Sequence, residues 1–340
     1  MDQNPFFSII ISTRDRPELF QTALHSVVNQ DFSDREIIVV VDGSTQANLA
    51  KYDELERQYE KEITFHHLSH RENGHGQSYA MNYGVDQSSG NYLCFLDDDD
   101  QWTSDNYLSD LHANIIASPE TVDVHYSNQK AIYSDGSPQT ESVWIEDLIP
   151  RLQESDKNRE NCYFVTTEFL LGSGGFGHLN CSVFNRDFYA NIGRMDESIR
   201  YENDRDVYLR AIDEAKTILF STQYMSLHNI PDVHKKSNMS TMSSNIEKKL
   251  YQMRVYDKGI ALAQRPSIAK FCRKAKVYEL KHVATILAEQ KNFRAALHYA
   301  RESLIGGFNL RWFAYTISLS LKVLFSASEN NGEDNPQPRS

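Results

Sequence analysis

The sequence predicts an α/β fold: a mostly parallel sheet flanked by helices, followed by a C-terminal helical extension. Three observations carry that expectation. Short, apolar, β-prone runs at residues 6–11, 37–41 and 92–96 lack the alternation of a half-exposed strand, so they suit strands buried on both faces. Between them lie segments of helical spacing, such as Leu19, Phe20, Ala23, Leu24, Val27 and Val28. Strands that alternate with helices over short connections imply right-handed crossovers and a parallel sheet.

The first strand, residues 6–11, runs into the polar Ser12-Thr13-Arg14-Asp15-Arg16, and Pro17 opens a helix at a position where its missing N–H costs no hydrogen bond. Residues 37–41 form the second strand and end at Asp42-Gly43-Ser44, a turn in which Gly tolerates positive φ. A polar helix over 47–60, a strand near 63–68, a loop with Asn73, Gly74 and Gly76, and a helix over 77–85 lead to the strand at 92–96. The first βα turn holds no GxGxxG, so the dinucleotide-binding fingerprint is absent.

The strand at 92–96 delivers Asp97, Asp98, Asp99 and Asp100 at its C-terminal end with no intervening turn residue. Two unit charges about 4 Å apart repel by roughly 4 kcal/mol at an effective dielectric near 20. Such a cluster therefore needs counter-charge, protonation or solvent. A divalent cation such as Mg²⁺ or Mn²⁺ would supply the first, because carboxylates are hard oxygen ligands. A solvated acidic turn, with Asp100 or Ser104 capping the next helix, is the plainer reading. Ligands of open α/β sheets bind beyond the carboxyl ends of the strands, which favours the cation.

After Trp102 the pattern changes. A helix near 106–117, strand-like stretches at 122–126 and 130–133, and the turn Ser134-Asp135-Gly136-Ser137 predict antiparallel structure. Residues 141–161 are polar and predict a mobile loop around one helix. Gly172, Gly174, Gly175 and Gly177 precede a strand-like 179–184 and suit close approach to a ligand, a lid, or a plain loop. Acidic residues around Asp204 open a helix that runs to about 214, and strand-like 217–220 and 224–228 follow. His228 and His234 flank the polar stretch after them, and an isolated histidine is more often a hydrogen-bonded surface residue than a ligand.

From residue 246 the sequence reads as helix. Leu280, Val283, Ala284 and Leu287 share one face and Ala295, Ala296, Tyr299, Ala300 and Leu304 another, with a break at Lys291-Asn292, which describes a helical hairpin. Arg265, Lys270, Arg273, Lys274 and Lys276 form a basic cluster. With the amphipathic stretch 312–325 it could hold an anionic membrane surface; packing on the main domain is the competing reading. Residues 326–340 are polar and predict a disordered tail.

Composition narrows the classes. The 340 residues carry 35 Lys and Arg against 47 Asp and Glu, a net −12 that argues against broad nucleic-acid binding. The four cysteines are scattered and form no CxxC pair, which fits a reducing compartment. The N-terminal residues lack a signal-peptide pattern, and no apolar run reaches the roughly 20 residues that span a bilayer.

Several segments gain meaning together. Thr13-Arg14-Asp15-Arg16 follows the first strand and Val41-Asp42-Gly43-Ser44 the second; Asn73-Gly74 through Ala80-Met81-Asn82-Tyr83-Gly84 and the aspartate run come next. Met195-Asp196-Glu197, Asn203-Asp204-Arg205-Asp206 and His234 through Ser240 complete the series. Over about residues 6–241 this order and spacing resembles the inverting family-2 glycosyltransferases of the GT-A fold. Thr13 and Arg16 match its Thr-Tyr-Asn-Arg loop, whereas Met81 stands where an arginine is usual and Asn203 where a glutamate is usual.

The resemblance implies a GT-A nucleotide-sugar-binding and catalytic domain over 1–241, with 242–325 as a C-terminal helical region and 326–340 as the tail. It implies metal-dependent, inverting transfer from a nucleotide-sugar, expected to be UDP-linked. The acceptor would be a hydroxyl of a glycan or lipid-linked molecule in cell-surface polysaccharide or glycoconjugate synthesis. By the same resemblance Thr13, Arg16, Asp42, Asn73, Asp97 and Asp98 contact the donor, Asp42 through the uracil. The aspartate run resembles the family's Asp-x-Asp motif, for which four consecutive aspartates offer two overlapping registers. Asp99 and His234 would hold Mn²⁺ or Mg²⁺, and Asp204 falls where the catalytic base lies, with Glu202 as the fallback. The implied location is cytoplasmic, peripheral on the cytoplasmic face of the membrane if the C-terminal helices touch it. A nucleotidyltransferase and a catalytically silent sugar-nucleotide-binding scaffold are the alternatives.

Overall fold

The computed structural model describes residues 4–231 and 243–332. The chain divides into two compact units, Met1–Met242 and Ser243–Ser340.

The first unit is built on β1 (Phe7–Thr13), α1 (Pro17–Val28), β2 (Arg35–Val41), α2 (Gln46–Gln58), β3 (Ile63–His67), α3 (Gln77–Asp86) and β4 (Tyr92–Asp97). It continues with β5 (Gln101–Trp102), α4 (Tyr107–Ile116), β6 (Val124–Ile132), β7 (Lys157–Arg159), β8 (Cys162–Val165) and α5 (Thr167–Leu170). Then come β9 (Ser182–Asn185), α6 (Arg186–Asn191), α7 (Asn203–Glu214) and β10 (Ile218–Asn229). The strands form one sheet in the order β3-β2-β1-β4-β9-β6-β10-β8-β7, with β5 paired to β10. β3, β2, β1 and β4 are mutually parallel, as are β6 and β10. β9 runs antiparallel between β4 and β6.

The apolar runs dictate this arrangement. Phe7, Ile9, Ile10 and Ile11 of β1 are wholly buried, which requires helices on both faces of the sheet. Phe20, Ala23, Leu24 and Val27 of α1 turn into the same core as Ile9, Ile11 and Val39. Because β1, β2 and β4 are parallel, their carboxyl ends share one edge. Ser12 pairs with Asp97 and Thr13 with Val41, so the Thr13 loop, Asp42 and the aspartate run emerge side by side.

Three expectations are corrected here. The stretches at 122–126 and 130–133 belong to one strand, β6, because the intervening Ser127, Asn128 and Gln129 are buried and Asn128 Nδ2 donates to the Ser221 carbonyl at 3.2 Å. The stretches at 217–220 and 224–228 likewise form one strand, β10, whose pairing with β6 shifts register around Tyr224. Residues 141–161, expected as a mobile loop around one helix, do contain a 3₁₀ turn at Glu146–Arg151, but it is pinned by the buried Trp144, Ile145 and Leu148, and the segment ends in the strand β7.

The second unit is helical: α8 (Asn245–Leu262), α9 (Pro266–Glu289), α10 (Phe293–Gly306) and α11 (Leu310–Gly332). A capping box on Ser244 and Glu247 starts α8. Leu280, Val283, Ala284 and Leu287 of α9 pack with Ala296, Leu297 and Ala300 of α10 and Leu319 of α11, which is the expected hairpin extended by a further helix. Lys291 at φ 61° and the Asn292 cap, whose side chain accepts from Ala295 N–H at 3.3 Å, make the break. α11 continues past residue 326, where the tail is expected to begin, to Gly332; residues 326–329, Ser-Ala-Ser-Glu, contain no helix breaker. Among the described residues no helix is long and apolar enough to cross a membrane.

Candidate active site

A cavity of about 780 Å³ opens at the carboxyl edge of β1, β2 and β4, and its wall includes Thr13, Arg16, Asp42, Asn73, Asp97, Asp98, Asp99 and Asp204. Eight of the nine residues singled out in the sequence thus meet at one place. The ninth, His234, lies outside the described residues.

The four aspartates separate into three roles. Asp98 turns back into the protein: Thr13 Oγ1 donates to its Oδ2 at 2.7 Å, and Arg16 forms an ion pair with its Oδ1. Burial pushes Asp98 up to about 6 against the pull of Arg16. Arg16 also reaches Asp99 Oδ2 at 2.7 Å, so one guanidinium bridges neighbouring carboxylates, and despite its burial its own affinity for protons rises. Asp100 is buried, accepts from the Asn229 backbone N–H at 2.8 Å, and meets His228 Nδ1 at 2.8 Å and Asn180 Nδ2. It is therefore an internal anchor that ties β4 to the end of β10, not the cap of the following helix. Asp97 faces the cavity, holds Gln77 Nε2 at 2.5 Å, and is pushed well above the usual carboxylate range by burial and by its neighbours' charges.

Carboxylate oxygens of Asp97, Asp99 and Asp100 lie within 4.8 Å of one another. This all-oxygen donor set, whose charge Arg16 and His228 offset only in part, suits a hard divalent cation such as Mg²⁺ or Mn²⁺. Of the overlapping Asp-x-Asp choices, the grouping contains Asp97-x-Asp99 and leaves out Asp98.

Asp42 accepts from the backbone N–H of His75 at 2.8 Å and of Gly76 at 2.9 Å, one on each carboxylate oxygen, and so holds the loop after Asn73 against the end of β2. Asn73 itself is exposed at the cavity wall. Met81 is a fully buried core residue, so that position offers the cavity no polar contact.

The start of α7 also lines the cavity. Glu202, at φ 65°, is its N-cap residue and ion-pairs with Arg205. Asp204, the second helical residue, accepts the Arg205 backbone N–H at 2.8 Å. Burial and the nearby Glu202 charge push Asp204 up to about 6, against the helix-terminal amides and Arg205.

Two histidines, His178 and His228, also line the cavity. His178 Nε2 lies 3.6 Å from Asp204 Oδ2, and its Nδ1 accepts the Asn180 N–H at 3.3 Å. Burial, then the neighbouring His228, pushes His178 down to about 3, so the ring is neutral and its proton sits on Nε2, facing Asp204. His228 is the opposite case: burial lowers it, but the Asp100 carboxylate outweighs this and pushes it up to about 9. The two rings are 5.5 Å apart, and Trp144 packs edge-on against both.

The glycines before His178 are explained by close approach to protein. A Cβ on Gly175 would sit 2.1 Å from the Trp144 carbonyl oxygen, and one on Gly177 2.6 Å from the Tyr126 ring. They let the segment pass close enough to bring His178 to Asp204 and Asn180 to the aspartates. That glycine cluster was the only sequence signal for His178.

The family pattern described as glycosyl transferase family 2 matches residues 8–193, more than half of the chain. Among curated relatives, the amylovoran biosynthesis glycosyltransferase AmsB of Erwinia amylovora is 28% identical over 206 residues, 60% of this chain and 63% of that protein. The GalNAc(5)-diNAcBac-PP-undecaprenol beta-1,3-glucosyltransferase of Campylobacter jejuni is 35% identical over 100 residues, 29% of this chain and 31% of that protein. The chain thus matches less than two thirds of the length of either relative. Among solved structures, residues 1–349 of S. aureus TarS in complex with UDP-GlcNAc superpose with a TM-score of 0.64 at 16% identity, covering 93% of this chain and 87% of that one. The mannosyltransferase PcManGT of Pyrobaculum calidifontis, in complex with GDP-Man and Mn²⁺, gives a TM-score of 0.56 at 15% identity over 98% of this chain and 89% of that one. At these identities the likeness establishes the GT-A fold.

Proposed function

The chain belongs to glycosyl transferase family 2, and from that premise we propose that it transfers a sugar from a nucleotide-sugar, UDP-linked, to an acceptor hydroxyl with inversion, in the synthesis of a cell-surface polysaccharide or glycoconjugate. The observation that carries this reading is one cavity lined both by Asp97, Asp98 and Asp99 and by Asp204.

Asp204 is the proposed base. A carboxylate pushed up to about 6 is ionised at neutral pH yet basic enough to take a hydroxyl proton as the acceptor oxygen attacks the anomeric carbon. His178 Nε2–H stands 3.6 Å from that carboxylate, where a donor favours its charged form. Thr13 and Arg16 brace the aspartate run, Asp42 and Asn73 frame the nucleobase end, and Asp42 retains lone pairs that can accept a uracil N–H. Mn²⁺ or Mg²⁺ held by Asp97 and Asp99 would supply positive charge to the departing diphosphate. A base that takes the acceptor's proton as its oxygen attacks the anomeric carbon and the diphosphate departs describes a single displacement, hence inversion.

UDP-bound TarS and Mn²⁺-bound PcManGT support a nucleotide-sugar donor and a divalent metal for this fold. The reading is tested by thermal unfolding with a panel of nucleotide-sugars, with and without Mn²⁺. Mn²⁺-dependent stabilisation by UDP-sugars is expected, because a ligand that binds only the native state raises its stability. Stabilisation by none of the panel would oppose it.

A further inference from the structure

In the second unit α11 shows two faces. Trp312, Leu319 and Val323 turn toward the helical core, whereas Leu310, Phe313, Ile317, Leu321 and Phe325 recur every three or four residues on the other side and are 43–73% exposed. Phe308, whose ring lies 5.9 Å from that of Phe313, continues this stripe beyond the helix start. A contiguous apolar stripe of this length on a water-facing side marks a contact surface.

The charge of the unit identifies what it contacts. Residues 243–340 hold 16 Lys and Arg against 8 Asp and Glu, a net +8, while residues 1–242 hold 19 against 39, a net −20. On α11 itself Arg311 and Lys322 are exposed and lie eleven residues apart, which places both on one flank of the stripe. Lys270, Arg273 and Lys274 of α9 are also exposed, and Val277 of the same helix packs on Gly306, just before Phe308.

We propose that α11 lies flat on an anionic phospholipid surface, its apolar stripe among the acyl chains and its basic flank on the headgroups. An amphipathic helix with aromatic and aliphatic residues on one face and a basic edge binds bilayers in this way without crossing them. A second copy of the chain fits less well, since two faces of units carrying +8 would repel. Nucleic acid would use the cations but leave the apolar stripe in water. The proposal does not depend on the transferase activity.

The test is flotation of the full chain with vesicles of phosphatidylcholine alone or with about 30% phosphatidylglycerol. Wild type should float with the anionic vesicles and stay down with the neutral ones. Phe313→Glu with Leu321→Glu, and separately Arg311→Glu with Lys322→Glu, should each reduce the bound fraction about tenfold, with the circular dichroism spectrum and the thermal unfolding midpoint retained. Wild type that stays down with anionic vesicles, or either double variant floating like wild type, overturns the proposal. So does concentration-dependent self-association that F313E/L321E abolishes, which would assign the stripe to a second copy.

Discussion

His178 Nε2 stands 3.6 Å from Asp204 Oδ2, and because Asn180 N–H occupies His178 Nδ1, the imidazole can present only an N–H to that carboxylate. A donor facing a carboxylate favours its charged form. His178→Phe should therefore raise the Asp204 midpoint further above 6, move the acidic limb of the rate profile to higher pH, and lower turnover. His178→Gln, which can offer a side-chain N–H, should restore much of both. Carboxyl carbon titration by NMR in the three proteins reads this directly; an Asp204 midpoint indifferent to the loss of His178 would show that the ring has no hold on it.

Asp204 also makes a stability prediction with a definite sign. Its folded midpoint of about 6 lies above the ordinary 3.8, so between those values the native state binds more protons than the unfolded one and stability falls as pH rises. Above about pH 6 the full cost is present; below about pH 4 it is gone. Asp204→Asn removes it and should stabilise the protein by roughly 1–3 kcal/mol at pH 7.5, with the gain vanishing near pH 4. Urea denaturation at the two pH values checks this.

Arg16 is the counter-charge for Asp98 and Asp99, and the Asp98 side chain is 1% exposed. Arg16→Met leaves that carboxylate buried without its partner and should cost about 2–4 kcal/mol. Equilibrium unfolding measures the loss, and an unchanged midpoint would mean that the ion pair contributes little to holding the aspartate run.

Gly175→Ala should destabilise by about 1–3 kcal/mol, since the new Cβ would sit 2.1 Å from the Trp144 carbonyl oxygen and 2.4 Å from that of Val143. Backbone on backbone leaves no flexible side chain to give way. Thermal unfolding reads the effect, and the shift in the Gly175 segment should also reduce turnover through His178.

How much of this was legible in the sequence follows from which forces act locally. The parallel half was legible because runs such as 6–11 and 37–41 report burial on both faces through composition alone. The strand bounds of the second half were not, because Ser127, Asn128 and Gln129 read as a strand break until Asn128 finds the Ser221 carbonyl, 93 residues away. The same limit governs the site. The aspartate run announced itself by charge, but that Asp98 turns to Thr13 and Arg16 while Asp100 anchors Asn229 depends on partners 82 to 129 residues distant. His178 and His228 carry no local signal of their states. A buried ring beside Asp204 and a charged ring on Asp100 differ only in what the fold places next to them.

The central claim is that the cavity binds a UDP-sugar through its metal-compatible wall and that Asp204 takes the acceptor's proton. The most direct measurement compares UDP release from UDP-sugars and Mn²⁺-dependent UDP binding in wild type and Asp204→Asn. The account predicts that the variant binds UDP like wild type and loses turnover by two orders of magnitude or more, about the contribution of a positioned general base. Turnover by Asp204→Asn at the wild-type rate would contradict it.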